Sequence, residues 1–421
     1  MPARILFATF GSLGDLHPYI ALALELKARG HTPLIASFSL FRDAVESAGI
    51  LFAPMRPDIE RFGGPAEVVR RLFFSRDGPA YLMKKMFMPY VRESYDDLQR
   101  AAQGCDLIVT HPIGVAGPLV AQKRGVPWVS SILSPMSLMS CIDPPLIGPA
   151  PWMKSLRRFG VTPYRMMFNL ARHIAQRWEG PLHALRAELG LPPSPPVQFE
   201  GQFSPQLNLA LFSPLLATPR ADWPANTVLC GFPRYDGKPA ASGDSTRLRA
   251  FLDAGEPPIA FGLGSSAVMI AGDFWQHAIA AAQALNRRAI LLTGASPVLP
   301  AKLPPSIAAF EYLPYSAVFP HTAAVVHQAG IGTFAQALFA GHPQLIVPVA
   351  FDQPDNAERA QKLGLARTLP FRKVTAERLA RELDVLLREP AYAQHARDIG
   401  IEIAREEASR TACDRMEAVL H

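Results

Sequence analysis

From Tyr312 to Phe351 the chain carries no Asp, Glu, Lys or Arg. A charge-free stretch of that length either crosses a membrane or supplies strands buried on both faces of a sheet. Pro314, Pro320, Gly330, Gly332, Gly341, Pro343 and Pro348 cut it into pieces too short to span a bilayer. The reading is therefore buried parallel strands, here Ala323 to His327 and Gln344 to Val349.

The same alternation of short apolar runs and helical stretches extends in both directions. Strands are expected at Pro258 to Leu263, Arg288 to Thr293 and Ala308 to Tyr312. Near the start, Arg4 to Phe10 reads as a strand, Gly11 to Gly14 as a turn, Pro18 to Arg29 as a helix and Thr32 to Ser37 as a second strand, a βαβ opening. Asp106 to Thr110 and Trp128 to Ile132 continue it around a helix over Gly117 to Arg124, while Pro144 to Gly201 is proline-rich and helical without clear strands.

Between the two alternating sets lies GFPRYDGKPAASGDS, polar and rich in Gly, Pro and Ser, which suits a linker. The expected organisation is an N-terminal domain over 1–232, a linker over 233–248, a second domain over 249–400 and a C-terminal helix over 401–421. That helix shows one apolar face (Ile401, Ala404, Ala408, Ala412, Met416, Val419) placed to pack across both domains. The fold class is α/β, with two Rossmann-like domains facing across a cleft. Such sheets bind ligands at the C-terminal ends of their strands.

Composition narrows the partners. A net charge of +6 is modest for 421 residues and shows no aromatic-interleaved basic stripe, so nucleic acid is not expected. Two basic, apolar-rich stretches, Val68 to Arg92 and Met153 to Arg177, read either as solvated helix faces or as surfaces for an anionic membrane. Cys105, Cys141, Cys230 and Cys413 have no short spacing, so neither a zinc cluster nor a disulfide framework is indicated. With no leader-like N-terminus, the expected location is the cytoplasm, with peripheral contact at the inner face of the membrane left open.

Three loops of the second half carry ligand-type chemistry. His327 ends a strand and is followed by QAGIGT, so Gly330, Gly332 and Thr333 open a helix whose free N–H groups suit an anion, although simple close packing also accounts for such a turn. Asp352 and Gln353 follow the next strand and offer a carboxylate and an amide to sugar hydroxyls. Ser265 and Ser266 follow the first strand of this half. A diphosphate is the natural guest of the glycine turn.

The run from Tyr312 to Ala357, YLPYSAVFPHTAAVVHQAGIGTFAQALFAGHPQLIVPVAFDQPDNA, resembles the donor-binding signature of GT-B fold glycosyltransferases of family 1, which include plant UDP-glycosyltransferases and bacterial macrolide and glycopeptide glycosyltransferases. The opening FGSLGDLHPYIALALELKARGH, with FRDAVESAGI and GFPRYDG, is most similar to the rhamnosyltransferase type that builds rhamnolipids. The similarity spans nearly the whole chain. It implies that His327 and the Gly332–Thr333 turn hold the diphosphate with help from Ser265 or Ser266, that Asp352 and Gln353 read the sugar, and that Tyr312 and Leu313 meet the base. Where many UDP-glucose users carry a glutamate for the ribose this chain has Ala335, so the expected donor is a dTDP- or UDP-sugar, with room for dTDP, which lacks the 2′-hydroxyl, and for a deoxysugar such as rhamnose.

An inverting transfer needs a base for the acceptor hydroxyl. Asp15 is the candidate by position and by the resemblance; it also suits a plain helix cap. His17 is the alternative base by chemistry. The resemblance makes His111 the partner of Asp15, whereas a strand-end histidine satisfied by backbone is the bland reading. No Asp-x-Asp spacing occurs, so neither metal nor other cofactor is expected, and the acceptor is expected to be a hydrophobic or lipid hydroxyl compound.

Other activities fit less well. GLGSS is not a Gly-x-Ser-x-Gly hydrolase elbow, and GSLGD is not a dinucleotide fingerprint. A nucleotide-sugar epimerase, or a non-catalytic sugar-nucleotide-binding protein on the same fold, is the remaining alternative.

Overall fold

The structure, a computed structural model, describes residues 1–75, 77–148, 150–295 and 298–420. It divides into two compact units, Met1–Tyr235 with Glu406–His421, and Asp236–Arg405.

The first unit is built on a seven-stranded sheet: β1 (Arg4–Ala8), β2 (Thr32–Ser37), β3 (Leu51–Pro54), β4 (Leu107–Thr110), β5 (Trp128–Ile132), β6 (Leu207–Ala210) and β7 (Thr227–Leu229). Every pairing is parallel, in the order β3-β2-β1-β4-β5-β6-β7. All residues of β4, β5 and β6 are buried, as expected for strands covered on both faces. The chain order reverses between β1 and β4, where Ile5 pairs with Leu107 and Ala8 with Thr110. That reversal leaves a crevice at the C-terminal strand ends.

The first helix, α1, runs Leu13–Ala28, five residues earlier than Pro18 suggested. Ser12 and Asp15 form a capping box that nucleates the helix ahead of the proline, which is accommodated inside it. Strands β3, β6 and β7 escaped the sequence reading; β3 and β7 are the edge strands of the sheet and carry no fully buried residue. The methionines of Leu82 to Met88 are core: Met83, Met86 and Met88 are buried, and Phe87 packs on Phe10 with ring centroids 4.9 Å apart.

The second unit carries a six-stranded parallel sheet: β8 (Ile259–Gly262), β9 (Ala289–Leu292), β10 (Ile307–Phe310), β11 (Ala324–His327), β12 (Gln344–Ile346) and β13 (Ala366–Thr368). Its order is β10-β9-β8-β11-β12-β13, so the reversal falls between β8 and β11. Part of the expected linker is a helix, Ser242–Asp253, whose Leu248 is buried in this unit's core with Phe310 and Val318.

The single C-terminal helix of the sequence reading is two: Pro390–Ile403 and Ala408–Val419. At the break, Glu406 accepts hydrogen bonds from the Ser213 hydroxyl (2.5 Å) and the Phe232 N–H (3.3 Å). The last helix belongs to the first unit, burying Ala412, Cys413 and Met416, and Arg29 of the first unit bonds Asp414 at 2.6 Å and Glu417 at 2.8 Å. Among the described residues no helix is long and apolar enough to cross a membrane.

Candidate functional site

In the first unit the loops after β1 and β4 flank the topological reversal. The α1 cap places Asp15 in one of them. Its Oδ2 accepts from the Ser12 N–H at 2.7 Å and the Ser12 hydroxyl at 2.9 Å, while Ser12 Oγ accepts the Gly14 N–H at 3.2 Å. Its Oδ1 faces His111 Nε2 at 3.4 Å. Gly11 makes room for this carboxylate: it sits at φ +112°, and a Cβ there would overlap Asp15 Oδ2.

His111 is buried, and its Nδ1 accepts the Ile113 N–H at 3.2 Å. A neutral ring therefore carries its proton on Nε2, so His111 donates to Asp15 and does not take a proton through that nitrogen. Burial pushes the Asp15 carboxyl up, but His111 and Ser12 together outweigh it and hold the group below the usual carboxylate value. Asp15 is thus both cap and half-buried anion: its side chain keeps 30% of its surface open.

His17 lies two residues on, about 200° around the helix from Asp15. Its ring packs edge-on against Tyr235, centroids 5.1 Å apart, and burial holds its pKa down to about 4, so it is neutral at ordinary pH.

In the second unit the reversal lies between the loops after β8 and β11, and here the polar loops converge. The β8 loop turns through Gly264 (φ +68°), where a Cβ would overlap Gln328 Nε2 and lie 3.2 Å from Thr333 Oγ1. Gln328 Nε2 donates to Thr333 Oγ1 at 3.3 Å. Half-buried Ser265 and Ser266 continue the β8 loop in a helical turn, Gly264–Ala267. Gly330 is the N-cap of the helix Ile331–Ala340, with no side chain capping it, so Gly332 and Thr333 lie in a first turn whose N–H groups have no intrahelical acceptor. Free N–H groups of this kind suit an anion.

His327 was expected to hold the diphosphate together with the Gly332–Thr333 turn; the structure places its ring inside the second unit. It is fully buried, its Nδ1 accepts the Ala329 N–H at 3.1 Å, and its Nε2 lies 3.0 Å from Gln344 Oε1. Burial holds its pKa down to about 4 despite the Gln344 bond, so the ring is neutral. It is bonded into the turn in which Ala329 takes φ +64°.

Asp352 and Gln353 start the helix Gln353–Lys362 beyond β12. Gln353 Oε1 accepts from the Val349 N–H (2.8 Å) and the Ala350 N–H (3.2 Å), leaving Nε2 to donate. Asn356 Nδ2 bonds Asp352 Oδ2 at 2.7 Å and the Ala329 carbonyl at 2.9 Å, tying the carboxylate loop to the glycine turn. Tyr312 leaves 44% of its surface exposed, with its hydroxyl 3.2 Å from the Asp236 carbonyl. Leu313, paired with it in the sequence reading, is a core side chain packed with Phe310 and Val318 and offers a ligand only backbone.

The comparisons with known proteins agree with this architecture. Residues 5–96 match the glycosyltransferase family 28 N-terminal domain, and residues 276–418 match the erythromycin biosynthesis protein CIII-like C-terminal domain. The O-mycaminosyltylonolide 6-deoxyallosyltransferase of Streptomyces fradiae is 34% identical over 97% of this chain and 96% of its own. The chain belongs to the GT-B glycosyltransferases. Solved structures show the same fold: the glycosyltransferase of kitacinnamycin (TM-score 0.73, 23% identity, 100% of both chains) and the glycosyltransferase VinC in complex with dTDP (TM-score 0.69, 21% identity, 99% of both chains). The chain is accordingly a nucleotide-sugar glycosyltransferase.

Three residues of this glycosyltransferase escaped the sequence reading. Gln328 is buried with an unpartnered Oε1, the one bulky polar side chain in a turn of small residues, and that contrast was the available signal. Tyr315 bonds the Thr333 side chain and the Gly264 backbone while stacking on Phe319 at 4.5 Å. Nothing in its local sequence marks it, since its partners are brought by the fold. Asn356 was legible only as part of the family signature.

Proposed function

We propose that the enzyme moves a deoxysugar, rhamnose among the candidates, from a dTDP donor to the hydroxyl of a hydrophobic or lipid acceptor, with inversion and without a metal ion or other cofactor. The observation that carries the mechanism is the pair formed by Asp15 Oδ1 and His111 Nε2. Asp15 is ionised, bears an open carboxylate edge, and is steadied by a donor that cannot itself act as the base at that nitrogen.

In this reading the acceptor oxygen attacks the anomeric carbon as the bond to the diphosphate breaks, and the acceptor proton passes to Asp15. The pair of electrons leaving C1 stays on the diphosphate oxygen. Because the Asp15 carboxyl is held below the usual range, it takes the proton late, once bond formation has made the attacking hydroxyl acidic. The added negative charge on the diphosphate meets the N–H groups of the Gly330–Thr333 turn and the helix dipole, a fixed counterpart to the cation that other enzymes use.

The donor identity rests on two supports. A related solved enzyme was captured with dTDP, and the 34% identical relative is named for transferring a 6-deoxy sugar. Buried Ala335 also offers no polar group at the position where the resemblance puts a ribose-reading glutamate. Four free cysteines, three of them buried, support a reducing compartment, and we place the reaction in the cytoplasm.

The test is turnover with dTDP-rhamnose, UDP-glucose and a lipophilic alcohol, followed by free nucleotide and by the anomeric configuration of the product. The reading expects nucleotide release only with acceptor present, preference for dTDP, inverted product and indifference to EDTA. Sugar isomerisation without acceptor, or retained configuration, refutes it.

A further inference from the structure

The region between β5 and β6 contributes nothing to the sites above, yet among the described residues it exposes the densest set of large apolar side chains. Trp152 and Phe159 are each 60% exposed on the 3-10 helical segment Pro151–Phe159. The helix Thr162–Gln176 buries Tyr164, Phe168 and Ala175 on one face and exposes Met166, Leu170 and Ile174 on another. Those three lie at successive four-residue steps, so they form one stripe along the helix. The core beneath is complete, with Met153, Tyr164, Phe168 and Phe199 packed together, so the stripe is not a face awaiting its own chain.

Charge selects the occupant. From Pro144 to Trp178 the sequence has Lys154, Arg157, Arg158, Arg165, Arg172 and Arg177 and no Asp or Glu. Arg157 bonds the Pro144 carbonyl and Arg172 pairs with Glu200, but Arg158, Arg165 and Arg177 are exposed. Arg158 lies over the Phe159 ring at 4.8 Å, holding a cation beside an exposed aromatic group. Apolar side chains long enough to enter an acyl boundary, a tryptophan suited to the interface and the exposed cations Arg158, Arg165 and Arg177 match an anionic bilayer surface. A protein partner of ordinary composition would supply the missing acidic side chains only if built for this face.

We infer that this surface, centred on Trp152, Phe159, Met166, Leu170 and Ile174, docks the enzyme peripherally on an anionic membrane. Docking requires neither donor nor acceptor, so it stands or falls independently of the proposed reaction.

The full chain is to be sedimented with vesicles of phosphatidylcholine and with vesicles containing phosphatidylglycerol. Binding to the second and not the first, weakened by salt and reduced roughly tenfold or more in the triple variant M166Q/L170Q/I174Q and in R158Q/R165Q/R177Q, is the expected result. The altered side chains are exposed, and an unchanged melting temperature verifies that each variant is folded. Failure to bind anionic vesicles, or equal binding by both variants, overturns the inference. A dimer that the M166Q/L170Q/I174Q variant abolishes, without vesicle binding, overturns it in favour of a second copy of the chain.

Discussion

His111 Nε2 stands 3.4 Å from Asp15 Oδ1, while its Nδ1 accepts the Ile113 N–H at 3.2 Å. The backbone bond fixes which nitrogen carries the proton, and so fixes the direction of the bond to Asp15. The helix cap does the rest: Ser12 holds one carboxylate oxygen and His111 the other, which leaves the group little rotational freedom to lose during a reaction.

Asp15→Asn keeps an oxygen for the Ser12 N–H and removes the basic oxygen. We expect turnover to fall roughly 10²–10⁴-fold with dTDP affinity within a factor of about two, read by nucleotide release and calorimetry. Unchanged turnover would remove Asp15 from the role of base.

His111→Phe tests positioning rather than proton transfer. In the wild type, activity falls as pH drops through an Asp15 pKa held below the ordinary carboxylate value. Without His111 the burial that raises the group is opposed only by Ser12, so the acid limb of the kcat/KM profile is expected to move to higher pH. A merely structural histidine would lower kcat without moving that limb.

Two glycines should separate the half-sites. Gly11→Ala drives a Cβ into Asp15 and should lower kcat with donor affinity intact. Gly264→Ala drives one into Gln328 and should weaken dTDP binding. Both positions also carry positive φ, adding about 1–2 kcal/mol of strain. The same kinetic signature from both variants would argue against the assignment of the two loops.

His327→Ala leaves the Gln344 oxygen and the Ala329 N–H without their partner, at about 1–3 kcal/mol each, and should loosen the turn enough to weaken donor binding. Equal donor affinity in a folded variant counts against the turn as the diphosphate site.

Stability should respond to acid through two histidines whose pKa values burial holds down, His17 and His327. His17 and His327 have folded pKa values of about 4 against 6.5 for the free side chain, so the unfolded chain takes up protons first as pH falls. Their contribution is fully present above about 6.5 and is lost between there and about 4. Glu179, raised by burial to about 7, acts in the opposite sense over an overlapping range. Melting curves of His327→Gln should therefore fall less steeply from pH 7 to 5 than those of the wild type, and an identical slope would refute the assignment.

The sequence by itself determined the two parallel sheets, because strands buried on both faces must be written as nearly unbroken apolar runs, and Trp128 to Ile132 and Ala323 to His327 could be read to within a residue. It also marked the polar loops, since Asp15, Ser265 and Asp352 each follow such a run. It misjudged boundaries where a bond overrides a propensity: the local Ser12–Asp15 cap starts α1 ahead of Pro18, whereas at the break between the last two helices Glu406 is bonded to Ser213, far away in the chain. Only the tertiary structure decided what each side chain does. His327 and Asp352 share one family signature, yet one is sealed against Gln344 and the other opens a helix tied to the glycine turn through Asn356. Nor could the sequence foresee that Tyr315 would bond Thr333 and Gly264, or that Met166, Leu170 and Ile174 would face outward while Tyr164 and Phe168 face in. Periodicity tells which residues share a face; which face meets the core depends on packing partners distant in the chain.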